Sequence, residues 1–370
     1  MTLTHSGVAL PHARGNGLGE KCDFMMHRAW PQRPLPQMIE THASLIFLTN
    51  DRAYKLKKPV QLPHADMRSL AAREALCVEE LRLNRALARD VYLGLIALVR
   101  RPDGSLGLGG PGRVIDWLVE MVRLPAAQML DQRLLVGPPP SHDEIADFGR
   151  VMITFYRHQH APPGAAGRYM DRLTREMATD LRHLSEMRVH LGASWSDTLF
   201  QDAPIMLAQM RAAIETRGKA GLVFEGHGDL RAEHVCLIRP PVAFDRVEFN
   251  HDFRLIDPHD EIAGLGLEAA QLGAEWIGPL LSEQLAMAGF TPPPPHAAHR
   301  VSDGALLDAG PPCHRSPARP EPTHPGKMGS PCAQFPRYGA HGYGGRWLGV
   351  CSCASSAALT SASLICGKSA

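Results

Sequence analysis

The chain has 370 residues, 44% apolar and 21% charged, enough to bury two packed units of ordinary globular composition. Its formal net charge of +1 argues against a nucleic-acid binder driven by phosphate contacts, which carries a basic surplus or stripe. No run approaches about 18 consecutive apolar residues and the first residues lack an apolar secretory core, so no membrane partner is expected and the chain reads as cytoplasmic.

Residues 1–36 are rich in Gly, Pro and His and contain the breaker run Pro31-Gln-Arg-Pro-Leu-Pro36, which predicts a disordered leader. From Met38 the texture changes. Ile39 to Thr49 reads as one or two strands, Asn50-Asp51 as a turn, and Arg52 to Val60 as a returning strand that carries lysines. Alternation puts Ala53, Lys55 and Lys57 on one face and Tyr54, Leu56 and Lys58 on the other, with Lys58 expected in solvent. On spacing alone, these lysines serve equally well to keep an edge strand soluble. Ser69 then caps a helix over Leu70 to Leu87 that bears Glu74, Glu79 and Glu80. Two more strands, Leu93 to Arg100 and Val114 to Arg123, flank a glycine-rich stretch from Gly107 to Gly112. No helix start follows that stretch, so it reads as a hairpin loop and not as a phosphate cradle.

From Ser141 to about Arg217 the periodicity is helical, with Ile145, Phe148, Val151, Met152 and Phe155 on one stripe. His158 and His160 invite a metal reading, but residues two apart on a helix diverge by about 200° and cannot grip one ion. The stretch Glu225-Gly-His-Gly-Asp-Leu-Arg-Ala-Glu-His234 lies between the apolar runs 221–224 and 235–238, a polar loop held at both ends by buried strands. Pro241 to Asn250 reads as a strand reaching the carboxylate of Asp245, and Asp257 with Asp260 as a brace for the loop and a cap for the next helix through Glu275. After Thr291 the composition turns to Pro, Gly, His, Ser and Cys without apolar periodicity. The abrupt change, with five of the eight cysteines beyond residue 310, reads as a low-complexity tail translated from a shifted frame.

His227-Gly-Asp-Leu230 with a polar residue five positions after Asp229 resembles the catalytic loop of the aminoglycoside phosphotransferase branch of the protein-kinase-like fold. Ala53-Tyr-Lys-Leu-Lys-Lys-Pro59, Glu79-Glu-Leu-Arg-Leu-Asn84, Asp90-Val-Tyr-Leu-Gly94 and Met121-Val-Arg-Leu-Pro125 narrow the resemblance to an uncharacterised bacterial subfamily often fused to a P-loop kinase domain. No Gly-x4-Gly-Lys-Ser/Thr match is present in this chain. The resemblance covers roughly residues 38–290. It implies a two-lobed α+β fold with a small antiparallel-sheet lobe carrying one helix over 37–125 and a larger, mainly helical lobe over 126–290. It also implies an ATP- and Mg2+-dependent kinase acting on a hydroxyl of a small molecule.

By the same resemblance Asp229 is the catalytic carboxylate, His227 braces its loop, and Lys55, with Lys57 as the close second, anchors phosphates with Glu80 as partner. Main-chain groups from Met121 to Arg123 face an adenine edge, and Asp245 holds the metal, with Asp257 as runner-up. The family pattern continues His-x-x-Asn where this chain has Arg231-Ala-Glu-His234. Imidazole is a poorer magnesium ligand than an amide or carboxylate oxygen. His234 therefore acts through water or leaves the role to Glu233. The competing expectation is a catalytically degenerate module that binds a nucleotide or a protein.

Overall fold

The computed structural model describes residues 17–31, 33–191, 205 and 208–293. Helix α1 (Leu18–His27) precedes strands β1 (Gln37–Glu40), β2 (Ser44–Leu48) and β3 (Arg52–Lys57), helix α2 (Leu70–Asn84), and strands β4 (Tyr92–Arg100), β5 (Leu106–Leu108) and β6 (Arg113–Val122). The six strands form one antiparallel sheet in the order β1-β2-β3-β6-β4-β5. Both faces of that sheet are covered, which is why all five residues of β2 are buried. Leu45 and Phe47 with Tyr54 and Leu56 face outward onto α1, whereas Ile46, Leu48 and Ala53 face inward onto Cys77 of α2. The side-chain period of two sorts these residues into separate cores. Each large apolar side chain taken fully from water, such as Phe47, contributes roughly 1.5–3 kcal/mol.

Helix α1 corrects the expectation of a disordered leader for its own residues, while residues 1–16 lie outside the described residues. Leu18, Cys22, Phe24 and Met25 are buried on the outer face of the sheet. The Lys21 ammonium reaches Asp116 on β6 at 2.6 Å. Asp116 is fully buried and also accepts two bonds from the Arg73 guanidinium of α2 at 2.8 and 3.0 Å. One carboxylate thus ties helices on opposite faces to the central strand, and the small lobe carries two helices where one was expected.

The larger lobe comprises α3 (Leu130–Leu135), α4 (His142–Arg157), α5 (Ala165–Leu191), a helical segment over 208–219, α6 (Pro258–Gln271) and α7 (Ile277–Met287). A capping box starts α4: Ser141 accepts the Glu144 N–H at 3.2 Å while the Glu144 carboxylate accepts the Ser141 N–H at 2.8 Å. The expected stripe buries Ile145, Phe148 and Met152 against Leu265 of α6 and Ile277 and Leu281 of α7. These elements form the expected two-lobed α+β arrangement. His158 caps the end of α4 and His160 lies beyond it, and no group of three or more potential metal-binding side chains occurs among the described residues.

Short strands β7 (Phe224–Glu225) and β10 (Leu255–Ile256) pair antiparallel, as do β8 (Val235–Cys236) and β9 (Val242–Ala243). They hold the polar loop at both ends. The expected strand through Asn250 is cut short, because after Ala243 the chain turns at Asp245, whose φ is +64°. Phe290 closes the large-lobe core, and the Thr291 carbonyl accepts a bond from Arg217 at 2.6 Å. Residues 294–370, and with them nearly all of the expected frame-shifted tail, lie outside the described residues. None of the described helices is long and apolar enough to cross a membrane.

Candidate active site

The site is assembled on the inner face of the sheet, where the two lobes meet. Ala53 and Met121 pair across β3 and β6, and their side chains share a core with Cys236, Val242 and Phe244 from the larger lobe. The Met121 side chain is therefore taken up in packing. In the adjoining hinge the Val122 N–H donates to Val91 at 2.9 Å and the Arg123 N–H to Asp51 at 3.0 Å, so these two main-chain donors are engaged within the protein.

Two residues along β3 from Ala53, the Lys55 ammonium lies 2.9 Å from Glu80 and 2.7 Å from Asp245. Lys57, one further step along the same face, lies 2.6 Å from Glu80 and 2.5 Å from Glu248. Glu80 is the only one of the three candidate glutamates on α2 that is fully buried; Glu74 is exposed, and Glu79 pairs with Arg82 at the surface. The two lysines share the work, so neither is a mere alternative to the other. Burial alone lowers the pKa of Lys55, but Asp245 and Glu80 outweigh it and hold the ammonium well above its ordinary value. Lys57 is raised for the same reason, by Glu248 and Glu80. Lys58, expected in solvent, is buried and donates to Glu40 and to the Thr41 carbonyl, both at 2.5 Å.

Gly226 and Gly228 shape the loop before Asp229. At Gly228 φ is +90°, a region that favours glycine. A Cβ at Gly226 would lie 2.6 Å from a carboxylate oxygen of Glu261. That close approach has a purpose: Glu261, fully buried on α6, accepts the His227 N–H at 2.9 Å, the Gly228 N–H at 2.8 Å and the Tyr156 hydroxyl at 2.8 Å. Glu261 is thus the loop brace that was expected from Asp257 and Asp260. Asp257 caps α6 through the His259 N–H, as expected, and pairs with Arg217, while Asp260 accepts the Tyr169 hydroxyl. Arg246, next to Asp245, donates to the Gly226 carbonyl at 2.7 Å and to the Leu83 carbonyl at the end of α2 at 3.0 Å. Its own N–H donates to the Asn84 side chain at 2.9 Å, so Arg246 ties the loop, the end of α2 and the segment around Asp245 together.

His227 is fully buried and neutral. Its Nε2–H donates to the Phe244 carbonyl at 2.9 Å, and its Nδ1 accepts the Asp229 N–H at 3.4 Å. Burial, reinforced by His234 and Arg246, pushes its pKa well below the ordinary 6.5. The unfolded chain then takes up a proton near pH 6.5 that the folded chain refuses. The stability contributed by neutral His227 is full above that pH and is lost as pH falls, by up to about 1.4 kcal/mol per pH unit. In urea unfolding, the gap between wild type and His227→Asn should narrow below about pH 6.5; a gap that stays constant down to pH 5 would contradict this assignment.

Asp229 follows, its carboxylate about one-third exposed toward the cleft (36%). The His234 Nδ1 lies 2.7 Å from the Asp229 carbonyl, 3.8 Å from an Asp229 carboxylate oxygen, and on the other side its Nε2 lies 3.9 Å from Asp245 Oδ2. His234 therefore sits between the two carboxylates. Burial lowers its pKa, but Asp229, Asp245 and Glu233 outweigh that and raise it overall. Asp245 is held below the usual carboxylate range, because Lys55 and His234 overcome the cost of burying it. Asp245 is also the one non-glycine residue with positive φ among those described, a backbone state found preferentially at functional positions. Its N–H donates to the Tyr92 hydroxyl at 3.2 Å. Glu233 is also buried, with its carboxylate 3.3 Å from Arg231, and its charge acts on His234; the ring nitrogen of His234 lies 3.9 Å from Asp245.

Asp245 gives one oxygen to Lys55 and turns the other toward a His234 ring nitrogen 3.9 Å away, two donors of kinds that divalent cations accept, and no third His, Cys, Asp or Glu completes a group with them among the described residues. Sequence reasoning missed Glu261, Arg246, Glu248 and Tyr92. Of these only Glu261 left a signal, an acid beside Ile262 on the apolar face of a helix. A separate concavity of about 330 Å³ behind the small lobe is lined by Lys21, Arg68, Arg73 and Arg100. Those cations are already paired with Asp116, Asp66 and Glu20.

No family model matches the chain. Uncharacterised proteins of Mycobacterium tuberculosis and Mycobacterium bovis are 30% identical over 300 residues, covering 78% of this chain and 57% of their own length. The chain thus spans a little over half the length of these relatives. Among solved structures, the GDP and kanamycin complex of APH(2'')-IIIa aligns with a TM-score of 0.45 at 14% identity, covering 78% of this chain and 88% of that one.

Proposed function

We propose that this chain is an ATP-dependent phosphotransferase acting on a hydroxyl of a small molecule. The observation that carries the reading is the convergence of Lys55, Glu80 and Asp245 within 2.9 Å contacts, with Asp229 across His234 from Asp245. Phosphoryl transfer asks a protein for little covalent chemistry; it asks for positioned cations on the phosphates and for an acceptor oxygen held in line.

Lys55 and Lys57 are the cations. Glu80 holds both ammonium groups, one at each carboxylate oxygen, and the raised pKa of each keeps it charged at any physiological pH. Asp229 orients the acceptor hydroxyl: as the acceptor oxygen bonds to the γ-phosphorus and the bond to the β–γ bridging oxygen breaks, its carboxylate takes the hydroxyl proton and ADP leaves. His227, neutral and bonded at both ring nitrogens, fixes the main chain of Asp229. Asp245 and His234 would hold the divalent ion, which when bound spreads the negative charge of the phosphate oxygens.

Thermal unfolding with and without magnesium and ATP tests this reading. A ligand at about 100 times its dissociation constant adds about 2.7 kcal/mol. In a chain of this size each kcal/mol raises the midpoint by roughly 2–4 °C. The expected result is a rise of several degrees that needs both metal and nucleotide and disappears in Asp245→Ala. A cooperative melt with no shift would overturn the reading.

A further inference from the structure

The position five residues after Asp229 carries an imidazole, and the geometry around that ring decides which of its nitrogens faces the site. A carbonyl oxygen only accepts, so the 2.7 Å contact between Nδ1 and the Asp229 carbonyl places the proton on Nδ1. Nε2 then faces Asp245, and its lone pair serves a cation that takes the place of any proton there. Among the described residues Nε2 has no hydrogen-bond partner; its near neighbour is Asp245 Oδ2 at 3.9 Å, beyond hydrogen-bond reach. The ring is buried, with 4% of the residue exposed, and cannot turn away: it stacks on His227 at 5.9 Å between centroids with planes 20° apart, and the edge of Phe244 closes its other side at 6.1 Å.

Metal-binding histidines usually donate the ring N–H that faces away from the metal to a carbonyl or carboxylate, as Nδ1 of His234 does here. Two ligand bonds of about 2.1 Å each reach across a gap of 3.9 Å with a bend at the ion. An oxygen-seeking ion such as Mg2+ gains little from imidazole, whereas transition-metal divalents accept it readily.

On the nucleotide-site reading above, we propose that His234 ligates the metal directly through Nε2, together with Asp245, and that this ligand sets the site's selectivity toward a transition-metal divalent ion over Mg2+. His234 is then a specificity-determining metal ligand, and the departure from asparagine is a change of metal, not a loss of one.

The test uses the whole chain with ADP and Mn2+. Bound Mn2+ is counted from the loss of the free-ion electron paramagnetic resonance signal, with Mg2+ as competitor, and spin-echo modulation reports a coordinated 14N nucleus. Wild type should favour Mn2+ over Mg2+ by about tenfold or more beyond the preference of ADP alone, and show imidazole 14N modulation. His234→Asn should keep ADP-dependent metal binding, lose the modulation and fall back to the preference of free ADP. The wild-type spin-echo signal needs no variant to be read, so a His234→Asn chain that fails to fold does not block the test. Mn2+ bound with ADP but without 14N modulation, or equal selectivity in wild type and variant, would overturn the proposal while leaving the nucleotide site standing. No ADP-dependent binding of either ion would overturn both.

Discussion

Asp229→Asn should lower ATP consumption in the presence of a hydroxylated acceptor by about 10²–10⁴-fold, the range spanned by a positioned general base. The substitution is nearly isosteric, and the contacts that place residue 229 are made by its main chain. Its N–H meets His227 and its carbonyl meets His234, and neither depends on the side chain. Among the described residues the carboxylate bonds to no side chain within hydrogen-bond distance and is about one-third exposed, and its buried neighbour His234, 3.8 Å away, keeps its bond to the residue 229 carbonyl. Fold and nucleotide affinity should therefore survive. The check is a pair of measurements on one preparation: steady-state ATP consumption against a panel of sugars, polyols and amino sugars, and the nucleotide-dependent thermal shift. Loss of the first with retention of the second is expected. Near-normal turnover would remove Asp229 from the reaction.

Much of the small lobe was legible because strand alternation is a local property. Tyr54 and Leu56 had to face away from Lys55 and Lys57, and they do, onto α1. The choice of Glu80 over Glu74 and Glu79 was not settled by spacing, since all three lie within two turns of α2. The structure selects the one beneath the sheet, and it selects both lysines because each end of the carboxylate takes one. Helix α1 was hidden for the opposite reason. It starts after Gly17 in a left-handed conformation, without a side-chain cap, and it is followed closely by the breaker run Pro31 to Pro36, so it lacks the usual local start signals. Its stability is tertiary, resting on an apolar face against the sheet and on Lys21 reaching Asp116. The loop brace was misplaced by a few residues along α6. Asp257 is where a cap belongs and caps; Glu261, one turn on, points back at the loop, and that depends on how α6 crosses it and not on spacing.

Asp245→Asn is the second large effect, and the charges around it separate activity from folding. Two ammonium groups, Lys55 and Lys57, face three carboxylates, Glu80, Asp245 and Glu248. Breaking a buried ion pair usually costs about 3–5 kcal/mol, because it strands an unpaired charge. Here the variant leaves two cations with two anions: Lys55 keeps Glu80 and Lys57 keeps Glu80 and Glu248, so the loss of stability should fall well short of that range. The positive φ at this position is tolerated better by Asn than by most residues, which also favours a folded variant. What is lost is the anionic oxygen facing His234 Nε2. Removing a preorganised electrostatic element of this kind costs about 10²–10³-fold in rate, and on the proposed metal role of Asp245 the variant should also abolish the metal dependence of the thermal shift. Urea unfolding together with ATP consumption checks both halves. A variant that is folded but inactive is expected; folding with near-normal activity would transfer the metal role elsewhere. Asp257 is a poor candidate for it, since its carboxylate is occupied by Arg217 and by the N-terminus of α6.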